Sequence, residues 1–340
     1  MNEIPLLDLV LDEEFAADDR LVYLATTPPA PLQKRFGPSR VRTFPISEPA
    51  MVGMGVGLAM TGWRPVVDLN RAAYLHLALD QVINHAGLMR YLSDGQYRVP
   101  MVISCATRDE LHLGPQHEQC PYGMAMQITG ISVAVPSGLA EACGLLRAAL
   151  RREEPVLLFV APTLGNQPGM TAALAAPPIP FGRAARLREG THATVIAVGT
   201  AVATARAAAE DLAADGIECD VFDPCTLTPL DIEALGGSAR RTGRLVIVDD
   251  GPRHGAPAGI LGALADVDGV LAALGGRVRL VAAPNVPVPA SPVLESLISP
   301  TVAQVVAAVR ELTGPGPGTG NSARRPVATG KSPTAGEEAR

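Results

Sequence analysis

Short, unbroken apolar runs recur along this chain at helix-length intervals, and they confine it to one fold class. The runs PVVDL (65–69), VPMVIS (99–104), ISVAVP (131–136) and PVLLFVA (155–161) are rich in Val and Ile and bounded by Gly, Pro or charge. A strand apolar at nearly every position is covered on both faces, which is the habit of a parallel sheet. Helical periodicity fills the gaps at 75–91 and 139–151. After a proline-rich stretch the alternation restarts. Strands are expected at 193–199, 217–223, 244–250 and 278–284, and helices at 202–215, 256–274 and 301–312. The pattern predicts an α/β protein of two domains, each with a mainly parallel sheet flanked by helices. The expected boundaries are 1–165 and 183–313, with a linker at 166–182.

A length of 340 residues suits two cores better than one. Residues 314–340 are Gly, Pro, Ser, Thr and charge, so a disordered tail is expected. Deleting it should leave folding and activity unchanged, and a melting temperature lowered by truncation would refute that. Near the other end, 8–19 is expected to form a short helix, and TTPPAP (26–31) to break any element there.

Hydrophobic residues make up 47% of the chain and charged residues 18%, the balance of a packed protein. The net charge is −6 with no basic stripe, which argues against nucleic acid as a partner. No apolar run reaches membrane-spanning length, and the acidic start MNEIPLLDLVLDEEF is unlike a signal or transit peptide. Five scattered cysteines without a CxxC pair read as free thiols of a reducing compartment, and the expected location is the cytoplasm.

The segment FPISEPAMVGMGVG (44–57) is the most informative. Ser47 can cap a helix, and Pro49 suits its first turn. Gly53, Gly55 and Gly57 then weaken that helix, a cost that usually admits a close neighbour. GMGVG (53–57) is followed by Leu58, so the third glycine of a dinucleotide fingerprint is missing.

Five segments, in order and at matching spacing, together resemble one family. They are RFGPSRVRTFPISEPAMVGMGVGLAMTGWRPVVDL (35–69), ALDQVINHAGLMRYLSDGQYRVPMVI (78–103), GPQHEQ (114–119), the stretch from TLTPLDIEAL to RLVIVDDG (226–251), and PNVPVPASPVLES to VAQVVAAVREL (284–312). The likeness is to the beta subunit of the thiamine-diphosphate-dependent decarboxylating component of pyruvate and branched-chain 2-oxo acid dehydrogenases, within the transketolase-like superfamily. It implies a pyrimidine-binding domain, then a transketolase-type C-terminal domain.

The resemblance gives individual residues a task. Thiamine diphosphate reacts at a thiazolium carbon too weakly acidic for ordinary side chains. The family answer is a carboxylate that hydrogen-bonds the pyrimidine and controls its tautomer, while the cofactor does the organic chemistry. Glu48 stands at that position; taken alone, it also reads as an acid at a helix N-terminus. Tyr74, in NRAAY (70–74), stands where the family stacks a ring on the pyrimidine, with Ala72 in place of a neighbouring aromatic; alone it reads as a core tyrosine. His117 matches the family's active-site histidine, suited to proton transfer near neutral pH, with Gln116 and Gln119 as candidate orienting groups. Without the likeness it reads as a surface loop histidine. His112 is a candidate helper, and His76, His85, His192 and His254 are expected to be structural.

Departures from the family bear on substrate. LATTPPAPLQKRFG (24–37) lacks the family's acidic loop, and CATRDELHLGPQH (105–117) is charged where the family is Gly-rich. Arg152 replaces an aspartate that helps hold a structural potassium ion, and its own charge is expected to substitute for the ion. The superfamily's diphosphate–magnesium signature, GDG followed by an Asn pair, is missing from the chain. Magnesium is therefore expected on an alpha subunit, in an alpha2beta2 assembly, with a lipoyl acyltransferase as a further candidate partner. The alternatives are a thiamine-diphosphate-dependent carboligase or acyl-transfer subunit of specialised metabolism, and a non-catalytic pseudo-subunit.

Overall fold

The computed structural model describes residues 5–108, 112–166 and 168–314, so most of the expected tail, 315–340, lies outside the described residues. Twelve strands are seen among them: β1 Leu21–Ala25, β2 Val41–Thr43, β3 Arg64–Arg71, β4 Val102–Ala106, β5 Ser132–Ala134, β6 Val156–Val160, β7 Ala185–Arg188, β8 Ala193–Ala197, β9 Cys219–Asp223, β10 Thr226–Thr228, β11 Leu245–Pro252 and β12 Val278–Ala283. They build a seven-stranded sheet of order β10-β5-β6-β4-β3-β1-β2 and a five-stranded sheet of order β12-β11-β8-β9-β7. Every pairing is parallel except β10 with β5 and β7 with β9, at the sheet edges. Both sheets are flanked by helices, as the apolar runs predict.

The first sheet shows why its strands read as continuous apolar runs. Successive side chains face opposite sides. Leu24, Val67, Ile103 and Phe159 join one core with Met51 and Val52 of the helix Glu48–Met60. Tyr23, Val66, Val102 and Leu158 join another with Val10 of the helix Pro5–Ala17 and Leu145 of the helix Leu139–Ala149. With cores on both sides, most strand positions are apolar, and the exceptions such as Asp68 are held by hydrogen bonds from Tyr23 and Asn70.

Short or irregular elements depart from the sequence reading. The two-residue-period signal is weak in β1, β2, β7 and β10, and none of them was expected. Pro31 sits in the first turn of a helix, Ala30–Phe36, where its missing N–H costs nothing. The expected linker holds a short helix, Met170–Leu174, tied by Leu174 O to the Arg147 guanidinium at 2.9 Å. The helix expected at 75–91 divides into Leu75–Asp80, a π-helical stretch Gln81–Gly87 and Met89–Leu92. Its widened turn is wedged between neighbours. A Cβ on Gly53 would lie 2.8 Å from Gln81 Oε1, and one on Gly87 would lie 2.5 Å from Thr129 O. Gly55 is needed likewise against Val67 and Met101, whereas Gly57 faces open space.

The halves of the chain interlock. β10 follows β9 in sequence yet adds itself to the first sheet beside β5. Gly123 abuts Gly255 and Ala256 so closely that a Cβ would come within 2.3 Å of Ala256 N. The Tyr122 hydroxyl donates to Asp249 Oδ1 at 2.5 Å, and Asp249 Oδ2 is buried without a partner. Burial pushes the Asp249 carboxyl up from 3.8 to about 7, against the lowering pull of the Tyr122 hydrogen bond. An acid whose folded value is raised adds full stability below its unfolded value. That contribution is lost as pH rises from about 4 to about 7. Asp249→Asn stays neutral throughout. Relative to the parent it should gain stability across that window, by on the order of a few kcal/mol at pH 8. Denaturant midpoints at pH 4.5, 6 and 8 test this, and a constant offset between the two proteins would refute it.

Candidate active site

Three loops leave the first sheet at the same end. β1, β2, β3 and β4 are mutually parallel neighbours. Glu48 follows β2, Tyr74 follows β3 and His117 follows β4. Open parallel sheets bind ligands beyond the carboxyl ends of their strands. The three candidate residues, distant in sequence, therefore share the sheet edge at which such a site is expected.

Glu48 opens the helix Glu48–Met60, with Ser47 at the N-cap and Pro49 in the first turn. The Ser47 side chain makes no capping hydrogen bond. Glu48 is only 6% exposed, and among the described residues its carboxylate meets no hydrogen-bond donor and no cation. An acid that merely decorated a helix end would stand in water. The Glu48 residue is instead largely buried, and its carboxylate has no protein partner among the described residues.

Tyr74 is aimed by an irregularity at the end of β3. Asn70 takes φ 65°, a left-handed conformation that Asn tolerates, and its N–H donates to Asp68 Oδ1 at 2.8 Å. The register against β4 shifts between Asp68 and Arg71. The 3-10 turn Ala72–Tyr74 follows and turns the ring out of the strand. Tyr74 then meets His117: its hydroxyl lies 3.0 Å from Nδ1, and the rings pack edge to face with centroids 5.8 Å apart. Neither glutamine orients the imidazole. Gln119 Nε2 donates instead to Pro115 O at 2.7 Å, bracing the loop backbone, and Gln116 is exposed. Glu48 makes no hydrogen bond or ion pair with either residue.

The loop that carries His117 is fastened to the second domain. Arg108 hydrogen-bonds Ser299 and lies 3.5 Å from Asp250, and His112 Nδ1 lies 2.6 Å from Glu295 Oε2. His112 has φ 57° and pairs with the C-terminal half, so it is an interdomain contact. These contacts went unread in the sequence; the acidic pair Asp249 and Asp250, at the end of an apolar strand, was the available signal. A cavity of about 620 Å³ lies behind the loop, lined by His76, Arg108, Gln119, Asp250, His254 and Asn285 among others. His76 and His254 thus face this cleft, while His192 is structural, accepting from Glu218 N–H at 2.9 Å. His85 is surface-exposed near Asp80.

Arg152 does not play the part expected of it. Its guanidinium stacks on Phe181 at 4.6 Å and pairs with Glu154. Arg64 supplies the positive charge at this turn, donating to Leu150 O at 3.2 Å and Arg152 O at 2.9 Å.

The fold and this sheet end define a transketolase-like protein. Residues 24–165 match the profile of the transketolase pyrimidine binding domain, and residues 182–305 that of the transketolase C-terminal domain. The chain is 37% identical to the beta subunit of acetoin:2,6-dichlorophenolindophenol oxidoreductase from Bacillus subtilis, covering 83% of this chain and 82% of that one. It is 33% identical to the mitochondrial pyruvate dehydrogenase E1 component subunit beta-1 of Arabidopsis thaliana, covering 89% and 86%. It is 32% identical to the 2-oxoisovalerate dehydrogenase beta subunit of Bacillus subtilis, covering 92% and 98%. A solved structure titled a split gene transketolase, inactive beta4 tetramer, superposes with a TM-score of 0.73 at 21% identity over 92% of this chain and 98% of that one. The chain belongs to the transketolase-like family of 2-oxo acid dehydrogenase beta subunits.

Proposed function

We propose that this chain is the pyrimidine-activating half of a thiamine-diphosphate enzyme that draws an acyl unit from a 2-oxo acid and works only with an alpha subunit, as alpha2beta2. One observation carries the reading: the buried, unpaired carboxylate of Glu48 lies at the sheet end that also holds Tyr74 and His117. An acid without a protein partner fits a ring nitrogen that supplies the missing hydrogen bond. Tyr74, half-buried and packed edge to face with His117, fits a stacking role. When bound, thiamine diphosphate supplies a carbanion that attacks a carbonyl carbon. Glu48 would hold the pyrimidine tautomer by a charge-assisted hydrogen bond, and His117 would exchange a proton with substrate oxygen. The proposal assigns magnesium to the alpha chain; among the described residues no three His, Cys, Asp or Glu side chains gather as metal ligands.

An apolar strip suits a subunit contact. Leu77, Tyr91 and Leu92 are more than half exposed on the helical stretch after Tyr74, and Ile83 and Trp63 lie exposed nearby in sequence. Among the described residues no helix is long and apolar enough to cross a membrane. The choice of donor is open to one direct measurement. Assembled with an alpha chain, the enzyme should reduce 2,6-dichlorophenolindophenol with pyruvate or a branched 2-oxo acid. Turnover of a 2-hydroxyketone instead would favour the acyl-transfer alternative, and no turnover of either class by an assembly that binds the cofactor would support a pseudo-subunit.

A further inference from the structure

We infer that the Tyr74 hydroxyl is a positioning group that locks His117 in its Nε2–H tautomer, so that the imidazole faces the site as a proton donor. This rests on the proposed reading of the sheet end. A neutral imidazole has one nitrogen bearing a proton and one bearing a lone pair, and the hydrogen bond made by one fixes the state of the other. Nδ1 lies 3.0 Å from the Tyr74 oxygen. A phenol is a better donor than acceptor, so the hydroxyl donates and the Nδ1 lone pair is taken. The proton then resides on Nε2, which has no protein partner among the described residues. The edge-to-face packing, with ring planes at 83°, holds the imidazole against rotation.

Two independent features deliver Tyr74 to this contact. One is the left-handed Asn70 with its Asp68 turn and the shift in register beyond it. The other is the fastening of the His117 loop, through Gln119 to Pro115 O and through Arg108 and His112 to the second domain. Tyr74 is thus set by backbone geometry and the His117 loop by several side-chain contacts, so neither depends on one flexible side chain. A ring alone would serve stacking; the hydroxyl is the part that reaches the imidazole.

Acylation by diethylpyrocarbonate reads the tautomer directly, because the reagent needs an imidazole lone pair. In the parent chain that lone pair is occupied by Tyr74. In Tyr74→Phe it is free, and the second tautomer becomes populated. Carbethoxylation of His117, followed by peptide mass spectrometry on the full chain, should accelerate about three- to ten-fold, the scale on which one neutral hydrogen bond weighs. The exposed His85 in the same sample serves as reference and should not change. In the enzyme assembled with its alpha chain, Tyr74→Phe should lower kcat and alter its pH profile while thiamine diphosphate binding stays near parental, since the ring is kept. An unchanged or slower His117 rate overturns the inference, whatever the activity. A faster rate in a chain whose Glu48→Gln variant remains fully active would leave the tautomer lock standing and remove the proposed function.

Discussion

Glu48→Gln lowers turnover of the assembled enzyme by about two to four orders of magnitude, the range expected when a positioned acid–base group is lost. The substitution keeps the length of the side chain and a hydrogen-bonding oxygen but removes the charge that would fix the pyrimidine tautomer. Its effect on folding should be small. The Glu48 carboxylate has no protein partner among the described residues, so the amide breaks no contact within the chain and the melting temperature should hold. Hydrogen–deuterium exchange at the reactive thiazolium carbon, followed in the assembly, should slow by a similar factor. Unchanged exchange would remove Glu48 from this role. A loss of activity that tracked a loss of stability would make it a structural acid instead.

The isolated chain should bind thiamine diphosphate and magnesium weakly or not at all. It carries the proposed pyrimidine residues Glu48 and Tyr74 but no GDG with an Asn pair for the diphosphate. Diphosphate is held through a divalent cation that takes several oxygen ligands, and among the described residues no three His, Cys, Asp or Glu side chains gather to hold one. Co-expression with an alpha chain bearing that signature should restore binding and give a heterotetramer with two sites, as closed two-fold symmetry favours. The exposed Leu77, Tyr91 and Leu92 should lose solvent access on assembly. Titration calorimetry of the chain alone and of the complex tests both parts. Tight, magnesium-dependent binding by the chain alone would show that the site is complete without a partner.

The sequence by itself determined the fold class, because short continuous apolar runs such as those in β6 and β8, bounded by breakers and separated by helical patterns, fit strands buried on both faces of a sheet. It also determined Glu48, Tyr74 and His117 as candidates, through segments whose order and spacing resemble a family. Local pattern did not reveal the edge strands. β10 has three residues and forms only because β5 offers it an unpaired edge from the other half of the chain. Nor did it reveal the π-helical turn at Gln81–Gly87, whose widening answers packing against Gly53 and Thr129 rather than any periodicity in its own residues. Arg64, 86 residues before Leu150 in sequence, took the place expected of Arg152 because sheet register carried its guanidinium to that turn. The pairing of the Tyr74 hydroxyl with His117 across 43 residues is of the same kind. A side chain's chemistry is written in its residue type, but its partner is chosen by where the backbone of the whole fold delivers it, and that decision belonged to tertiary structure.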